Sequence, residues 1–155
     1  MFCVYEKKWR TLIAPAEIMQ YFIDSNIFLR VFVKENEKFF RDCFDLFKKV
    51  EEKKVKAITS VLVLAEIDWV LEGFYQFSKE RAIEALESIL KLKGLKFVDS
   101  FNFSSFLHCY SKSRVKFVDA LIASERIFDK EKIVIISYDK DFDKLGLKRL
   151  EPAQI

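Results

Sequence analysis

Two aspartates follow short apolar runs, at points where strands are expected to end. Asp24 comes directly after "QYFI" and precedes Ser25 and Asn26, and Asp139 follows "KIVIISY". Oxygen atoms of carboxylates are the ligands that Mg²⁺ and Mn²⁺ prefer. If both runs are strands of one parallel sheet, their carboxyl ends lie at the edge where ligands of such sheets bind. The two aspartates are therefore candidates for one metal site.

Two further acids lie inside otherwise apolar helical patterns. Glu66 occurs in "VLVLAEIDW" and Asp119 in "KFVDALIAS". A carboxylate is rarely buried without a partner, because its desolvation costs several kcal/mol. The basic residues of these segments are not spaced so that each acid has its own positive partner, whereas one divalent cation compensates several carboxylates at once. Convergence of the four acids on a metal is thus one interpretation of the pattern.

Each acid also has an ordinary structural interpretation. An Asp after a strand often forms a turn or caps a helix, since its side chain accepts hydrogen bonds from nearby backbone amides. Glu66 also fits the polar edge of an amphipathic helix. Asp68 lies about 200° around that helix from Glu66, so at most one of the two faces the site.

Other site chemistries have little support in the sequence. The run "DKDFDKLG" begins like an EF-hand loop, but Lys144 occupies the sixth position in place of Gly and Leu150 the twelfth in place of Glu. His108, the only histidine, has no carboxylate or cysteine at a useful spacing, which argues against triad and zinc chemistries. The three glycines form no phosphate-binding loop. The three cysteines, Cys3, Cys43 and Cys109, form no C-x-x-C motif and are interpreted as small core residues.

Hydrophobic periodicity predicts the strands and helices that position the acids, because short apolar runs alternate with longer helical patterns along the chain. The predicted strands are 21–23, 56–60, 95–99, 132–137 and 147–151. The predicted helices are 27–33, 39–54, 61–74, 79–93, 103–113 and 116–130. In the second helix Phe40, Phe44 and Phe47 recur at spacings of four and three, as an amphipathic helix requires. This order predicts an α/β fold with a mostly parallel sheet covered on both faces.

Composition limits the class of protein. A chain of 155 residues without a Pro/Gly/Ser-rich linker is predicted to form one domain, and 51% apolar residues supply a core. No apolar run reaches the roughly 18 residues of a membrane span, and the N-terminus has no secretory pattern, so we predict a cytoplasmic protein. The net charge of +3 does not by itself indicate a nucleic-acid-binding protein.

Four segments in this order resemble the signature segments of the PIN-domain family: "FIDSNIFLRVF", "AITSVLVLAEIDWVL", "KFVDALIAS" and "IISYDKDFDKLG". The resemblance implies a Rossmann-like three-layer domain with a central parallel sheet flanked by helices. It also implies a metal-dependent ribonuclease, and small single-domain members of the family are mostly VapC-like toxins of toxin–antitoxin pairs.

The resemblance assigns roles residue by residue. The acids assigned to catalysis and metal binding are Asp24, Glu66, Asp119 and Asp139, with Asp141 as the alternative fourth acid. Polar residues assigned beside them are Ser25, Asn26 and Ser137. Asp24 and Asp119 are expected to be the most direct ligands of Mg²⁺ or Mn²⁺, while Glu66 and Asp139 hold a second ion or orient waters. The products are expected to carry a 5′ phosphate and a 3′ hydroxyl.

Basic residues near the strand edge are candidates for phosphate contacts. These candidates are Arg30, Lys34, Arg114, Lys116 and Lys140, and each is equally well interpreted as an ordinary solvated charge. The resemblance implies RNA as substrate, an antitoxin protein as partner and a homodimer. A housekeeping RNA-processing nuclease without an antitoxin, or a binding module without catalysis, are the alternatives.

Residues 1–18 precede the first predicted strand as an N-terminal extension, which the family usually lacks, and residues 19–155 form the predicted nuclease domain. Because "MQYFIDSNIF" resembles a natural family start, one hypothesis is that Met19 is the initiator. The alternative is a native extension that packs Phe2, Trp9 and Leu12 against the domain or a partner.

Overall fold

The computed structural model describes residues 19–129 and 132–155. Five strands in these ranges form one sheet with the order β3-β2-β1-β4-β5, and all four pairings are parallel. The strands are β1 (Gln20–Ile23), β2 (Lys56–Thr59), β3 (Leu95–Phe97), β4 (Ile133–Ile136) and β5 (Arg149–Leu150). The predicted α/β fold with a central parallel sheet is therefore confirmed.

Seven α-helices flank this sheet in the described part of the chain. They are α1 (Ser25–Val33), α2 (Glu37–Glu51), α3 (Val61–Gly73), α4 (Lys79–Leu90), α5 (Phe103–Lys112), α6 (Phe117–Ala123) and α7 (Asp141–Lys144). Two 3₁₀ turns cover Arg126–Asp129 and Pro152–Gln154. None of the described helices is long and apolar enough to cross a membrane.

Burial along the central strands shows that both faces of the sheet are covered. Val134, Ile135 and Ile136 in β4 are at most 1% exposed, and Phe22 and Ile23 in β1 are fully buried. Successive side chains of a strand point to opposite faces, so consecutive buried residues require a packed layer on each side. The predicted three-layer arrangement follows from this pattern.

One predicted helix was too long. The pattern from 116 to 130 predicts a single helix, but α6 ends at Ala123 and a separate 3₁₀ turn begins at Arg126. The helix ends because Glu125 leaves it to form an antiparallel bridge with Phe101, while Ser124 donates a side-chain hydrogen bond back to the carbonyl oxygen of Leu121 at 2.7 Å. The backbone amides of Ser124 and Glu125 donate to the carbonyl oxygens of Leu121 and Ile122, three residues back, in place of the helical bonds to the fourth residue back. The other predicted elements differ from the structure only at their ends.

The apolar face of α2 also differs from the simple pattern of phenylalanines. Cys43, Leu46 and Val50 are its buried residues, whereas Phe44 is 42% exposed. Phe44 instead stacks on Phe40, with 5.6 Å between ring centroids, and lies outside the buried core cluster. The predicted N-terminal extension, 1–18, and with it Cys3, lies outside the described residues.

Candidate active site

The site begins where the two central strands end. β1 pairs with β4 in register, Phe22 opposite Ile135 and Ile23 opposite Ile136. Asp24 follows β1 at once, and its backbone amide donates to the carbonyl oxygen of Ile136 at 3.1 Å. From β1 the chain crosses first to β2 and β3 on one side and later to β4 and β5 on the other. The carboxyl ends of β1 and β4 are thus the switch point where ligands of parallel α/β sheets bind.

A network of short side chains fixes the carboxylate of Asp24. Its Oδ2 accepts hydrogen bonds from Ser137 Oγ at 2.7 Å and from Asn26 Nδ2 at 2.5 Å, and the same Asn26 Nδ2 donates to Ser137 Oγ at 2.8 Å. The backbone amide of Tyr138 donates to Asn26 Oδ1 at 3.2 Å, which sets the orientation of the amide group. Ser137 is fully buried, so this network is held inside the protein. The polar residues predicted beside Asp24 do lie there.

Asp119, Asp139 and Asp141 come together from two parts of the chain. Each offers a carboxylate oxygen, and these three atoms lie within 4.8 Å of one another. Asp119 is 3% exposed within α6, while the other two are half-buried before and at the start of α7. Ser137 Oγ accepts from the backbone amide of Asp139 at 2.9 Å, so one hydroxyl joins Asp24 to this group.

Glu66 lies on α3, which follows β2. Its Oε2 accepts a hydrogen bond from Ser25 Oγ at 2.6 Å, so the first residue of α1 holds this carboxylate beside the site. Asp68, two residues further on, has its Oδ1 3.6 Å from the ammonium group of Lys79. The two acids of α3 therefore have separate surroundings, as their angular separation on the helix requires.

Burial and like charge raise the pKa of the two innermost acids. Burial is the largest cause for Asp24, whose pKa rises from 3.8 to about 7, with a smaller contribution from the negative charge of Glu66. Burial raises the pKa of Asp119 to about 6, against the favourable charge of Lys116. Both carboxylates are costly to ionise without a compensating cation.

The donor set fits a divalent metal. Among the described residues four buried carboxylate oxygens have no hydrogen-bond partner, and two of them, Asp24 Oδ1 and Asp119 Oδ2, belong to the site. The other two lie on Asp68, beside the ammonium group of Lys79, and on Glu125. Buried polar atoms are normally satisfied, so each unpaired oxygen needs an explanation. A divalent ion that prefers oxygen ligands would explain both oxygens, because it would bind their lone pairs and compensate the clustered negative charge.

A family model for the PIN domain matches residues 21–148. The chain belongs to the PIN-domain family. The match spans β1 to the last loop before β5 and contains all five acids, so the family resemblance of the sequence is confirmed.

Relatives of this PIN domain include a VapC ribonuclease of Aquifex aeolicus (strain VF5), 25% identical over 134 residues that cover 85% of this chain and 96% of the relative. VapBC2 from Rickettsia felis, solved with a DNA fragment from its promoter, aligns with a TM-score of 0.59 at 21% identity, covering 86% of this chain and 98% of the other. VapC20 of Mycobacterium tuberculosis, a sarcin-ricin loop cleaving toxin, aligns with a TM-score of 0.59 at 18% identity, covering 86% of this chain and 100% of the other. The structural matches support the fold.

Two lysines lie at the acidic site of the PIN domain. Lys116 was predicted as a phosphate contact, and its Nζ is 2.8 Å from Asp139 Oδ2. Burial is the largest single influence on Asp139 and opposes its ionisation, but the hydrogen bonds from Lys116 and from the backbone amide of Asp141, together with the charges of Lys116 and Lys144, lower the pKa of this carboxyl. Lys144 Nζ lies 2.5 Å from Asp141 Oδ1. Sequence reasoning missed Lys144, although its position three residues after Asp141 in a helix is a known spacing for ion pairs.

The remaining basic candidates form no ion pair with the site's acids in the part of the chain that the structure describes. Arg30 forms an ion pair with Glu35 at 3.1 Å. The ammonium group of Lys34 lies over the ring of Phe40, 4.1 Å from its centroid. Two further candidates are solvent-exposed, Arg114 and Lys140. Their assignment to RNA binding stays a prediction.

Proposed function

We propose that this PIN domain is a VapC-type toxin endoribonuclease that hydrolyses RNA phosphodiester bonds with Mg²⁺ or Mn²⁺. The observation that carries the proposal is a pair of buried carboxylate oxygens, on Asp24 at the carboxyl edge of the central strands and on Asp119 in α6, that have no hydrogen-bond partner within residues 19–129 and 132–155. Membership of the PIN-domain family supports a nuclease, and the Aquifex aeolicus relative is itself named a VapC ribonuclease.

In this proposal the metal is held by oxygen ligands alone. Asp24 and Asp119 are the inner ligands, Asp139 and Asp141 lie at the outer side, and Glu66 completes the acidic set. A divalent ion held by these residues would supply an activated water for attack on the phosphorus and positive charge beside the leaving 3′ oxygen. We expect products with a 5′ phosphate and a 3′ hydroxyl.

The protein's own groups orient the reaction. Ser137 and Asn26 hold Asp24 Oδ2 in one direction, which leaves Oδ1 available for a ligand. The Oγ–H of Ser25 donates a hydrogen bond to Glu66 Oε2, which fixes that carboxylate. Lys116 and Lys144 extend from the rim, so their ammonium groups can bind the oxygens of the scissile or a neighbouring phosphate. Fixed ligands of this kind avoid reorganisation during the reaction.

Partners follow from the same proposal. A VapC-type toxin is neutralised by an antitoxin protein, and the Rickettsia felis relative was solved as a VapBC assembly. We propose an antitoxin partner, a homodimer and a cytoplasmic location for this chain. Coexpression of the neighbouring open reading frame should restore growth if it encodes that antitoxin. Growth arrest that no neighbouring gene relieves would favour a housekeeping nuclease.

Catalysis can be tested with purified protein that has first been stripped of metal. Cellular RNA should be cut when Mg²⁺ or Mn²⁺ is added and remain intact in EDTA, and sequencing of the new 5′ ends should identify the cleavage sites. Asp119→Asn should remove nearly all of this cleavage. Asp143→Asn is the matched control, because Asp143 lies in the same acidic run but pairs with Arg149 at 3.1 Å. Full activity of Asp119→Asn, or cleavage that does not depend on metal, would refute the proposal.

A further inference from the structure

Lys116 joins two separate parts of the acidic site. It directly precedes α6, and its Nζ lies 2.8 Å from Oδ2 of Asp139, 23 residues further along the chain. Its side chain makes no capping hydrogen bond to α6, and a cation at the N-terminal end of a helix opposes the helix dipole. The pair of Lys144 and Asp141, by contrast, lies within the single turn of α7. Stability of α6 therefore does not explain the position of Lys116, whereas its contact with the acids does.

The charge of this ammonium group acts on acids from three parts of the site. The hydrogen bond with Asp139 is the largest cause that raises the pKa of Lys116, and the negative charges of Asp119 and Glu66 raise it further, while burial opposes the rise. In return, burial raises the pKa of Asp119, and the charge of Lys116 opposes that rise. Lys116 therefore stays charged and acts on the acids as a bound cation would.

The oxygens of the site differ in whether they are already engaged. Asp24 Oδ1 and Asp119 Oδ2 are buried, and no described residue donates a hydrogen bond to them. Both oxygens of Asp139 are engaged, because Oδ2 binds the ammonium group of Lys116 and Oδ1 accepts from the backbone amide of Asp141 at 3.0 Å. The site therefore has one position open to a cation, at the inner acids, and a second position that already holds one.

We propose that the ammonium group of Lys116 takes the place of a second metal ion, so that the site binds a single divalent ion, at Asp24 and Asp119. This inference rests on the proposed ribonuclease function and specifies its metal requirement. Nucleases with two metal ions hold them about 3.5–4 Å apart, and both ions stabilise the oxygens of the reacting phosphate. An ammonium group fixed on Asp139 donates N–H groups and positive charge to the same oxygens.

A surface ion pair that a second metal ion displaces is the competing interpretation. The Lys116 side chain is 66% exposed, and exposed pairs contribute little to stability. A second ion at Asp139 would, however, have to replace two hydrogen bonds, and Mg²⁺ gives up its own water ligands reluctantly. It would also be repelled by the ammonium group, because Lys116 is anchored directly before α6. Binding of a single ion avoids both costs.

The test counts the Mn²⁺ ions that the full chain binds, by calorimetric titration and by electron paramagnetic resonance. Wild type and Lys116→Arg, which keeps the charge, should bind one ion per chain. Lys116→Met should bind a second ion and show the spin-coupled spectrum of two Mn²⁺ ions about 4 Å apart. No capping bond is lost in either variant, so both should fold. Lys38→Met is the matched control and should bind one ion, because Lys38 pairs with Asp42 at 2.6 Å on α2.

Cleavage of RNA supplies a second measurement. At the Mn²⁺ concentration that saturates the wild type, Lys116→Met should cleave about a hundredfold more slowly, and further Mn²⁺ should restore part of the rate by filling the vacated position. Two ions in the wild type, one ion in Lys116→Met, or a rate that further Mn²⁺ does not restore would each overturn the role of Lys116. Metal-dependent cleavage by the wild type would in each case leave the ribonuclease function intact. A wild type that neither binds Mn²⁺ nor cleaves RNA would refute the proposed function as well.

Discussion

Asp24→Asn should stabilise the metal-free protein while removing activity. Asp24 is 3% exposed, and burial raises the pKa of its carboxyl from 3.8 to about 7. At 1.36 kcal/mol for each pKa unit, this shift corresponds to at most about 4 kcal/mol of cost for the buried charge at pH 8. Asparagine keeps an oxygen that accepts from Ser137 and Asn26, and it carries no charge.

The gain should depend on pH in a defined direction. The folded-state pKa of Asp24 lies above its unfolded value, so the cost is complete above about pH 7 and declines as pH falls toward 4. We expect Asp24→Asn to raise the free energy of unfolding in EDTA by about 2–4 kcal/mol at pH 8, and by less than half of that at pH 5. A gain of 2 kcal/mol raises the melting temperature of a domain of this size by about 4–8 °C.

Urea denaturation in EDTA at both pH values measures this effect, and the cleavage assay with Mn²⁺ measures the loss of activity. Asp45→Asn is the stability control, because the Asp45 side chain is 67% exposed and its removal should change the free energy of unfolding by less than 0.5 kcal/mol, a value of the order expected for surface substitutions. If the free energy of unfolding rose equally at pH 5 and pH 8, or at neither pH, the conclusion that the buried charge of Asp24 destabilises the metal-free protein would be refuted. Wild-type cleavage by Asp24→Asn would remove Asp24 from the metal site.

Three further results are expected. The metal-free wild type should lose stability as pH rises from 5 to 8, because the carboxyls of Asp24 and Asp119 have raised pKa values of about 7 and about 6; a urea midpoint that increases over this range would contradict the assignment. Ser137→Ala should lower the free energy of unfolding by about 1–3 kcal/mol, since it removes a buried donor to Asp24, and an unchanged urea midpoint would show that the network contributes nothing. Gly94→Ala should cost about 2–3 kcal/mol in thermal melts, because Gly94 has φ +91° and a Cβ there would lie 2.3 Å from a backbone carbonyl oxygen of α2. Gly73→Ala is its control, since no atom of the described residues would lie within 4 Å of a Cβ at this position, and equal losses in the two variants would exclude the steric cause.

Local sequence pattern predicted the sheet well where burial is strongest. The run "KIVIIS" predicts a strand buried on both faces, and β4 has this burial from Val134 to Ile136. The same reasoning extended the helix after Lys116 too far. Its end depends on the bridge between Glu125 and Phe101, and a contact between segments over 20 residues apart leaves no signal in helical periodicity.

The sequence predicted the acids at the strand ends of the candidate site, but not the partners of its basic residues. A carboxylate directly after a strand must lie at the carboxyl edge of the sheet, which is why Asp24 and Asp139 could be paired from the sequence alone. Basic side chains carry no comparable constraint, because a long flexible side chain reaches partners in several directions. Arg30 therefore pairs with Glu35, while Lys116 reaches Asp139, although both were equal candidates for phosphate contacts.

The acids divide into an inner and an outer pair, and this division bears on how the proposed enzyme would act. Asp24 and Asp119 are 3% exposed, and each has an oxygen to which no described residue donates a hydrogen bond. Asp139 and Asp141 are half-buried, and each is paired with an exposed lysine. A divalent ion would therefore gain most from the inner pair, whose carboxylates form no ion pair among the described residues, although the charge of Lys116 acts on Asp119. An ion that engaged Asp139 Oδ2 or Asp141 Oδ1 would compete with the ammonium group that each of these atoms already binds. An ammonium group released in this way would remain at the rim of the site, where it could bind the phosphate of RNA.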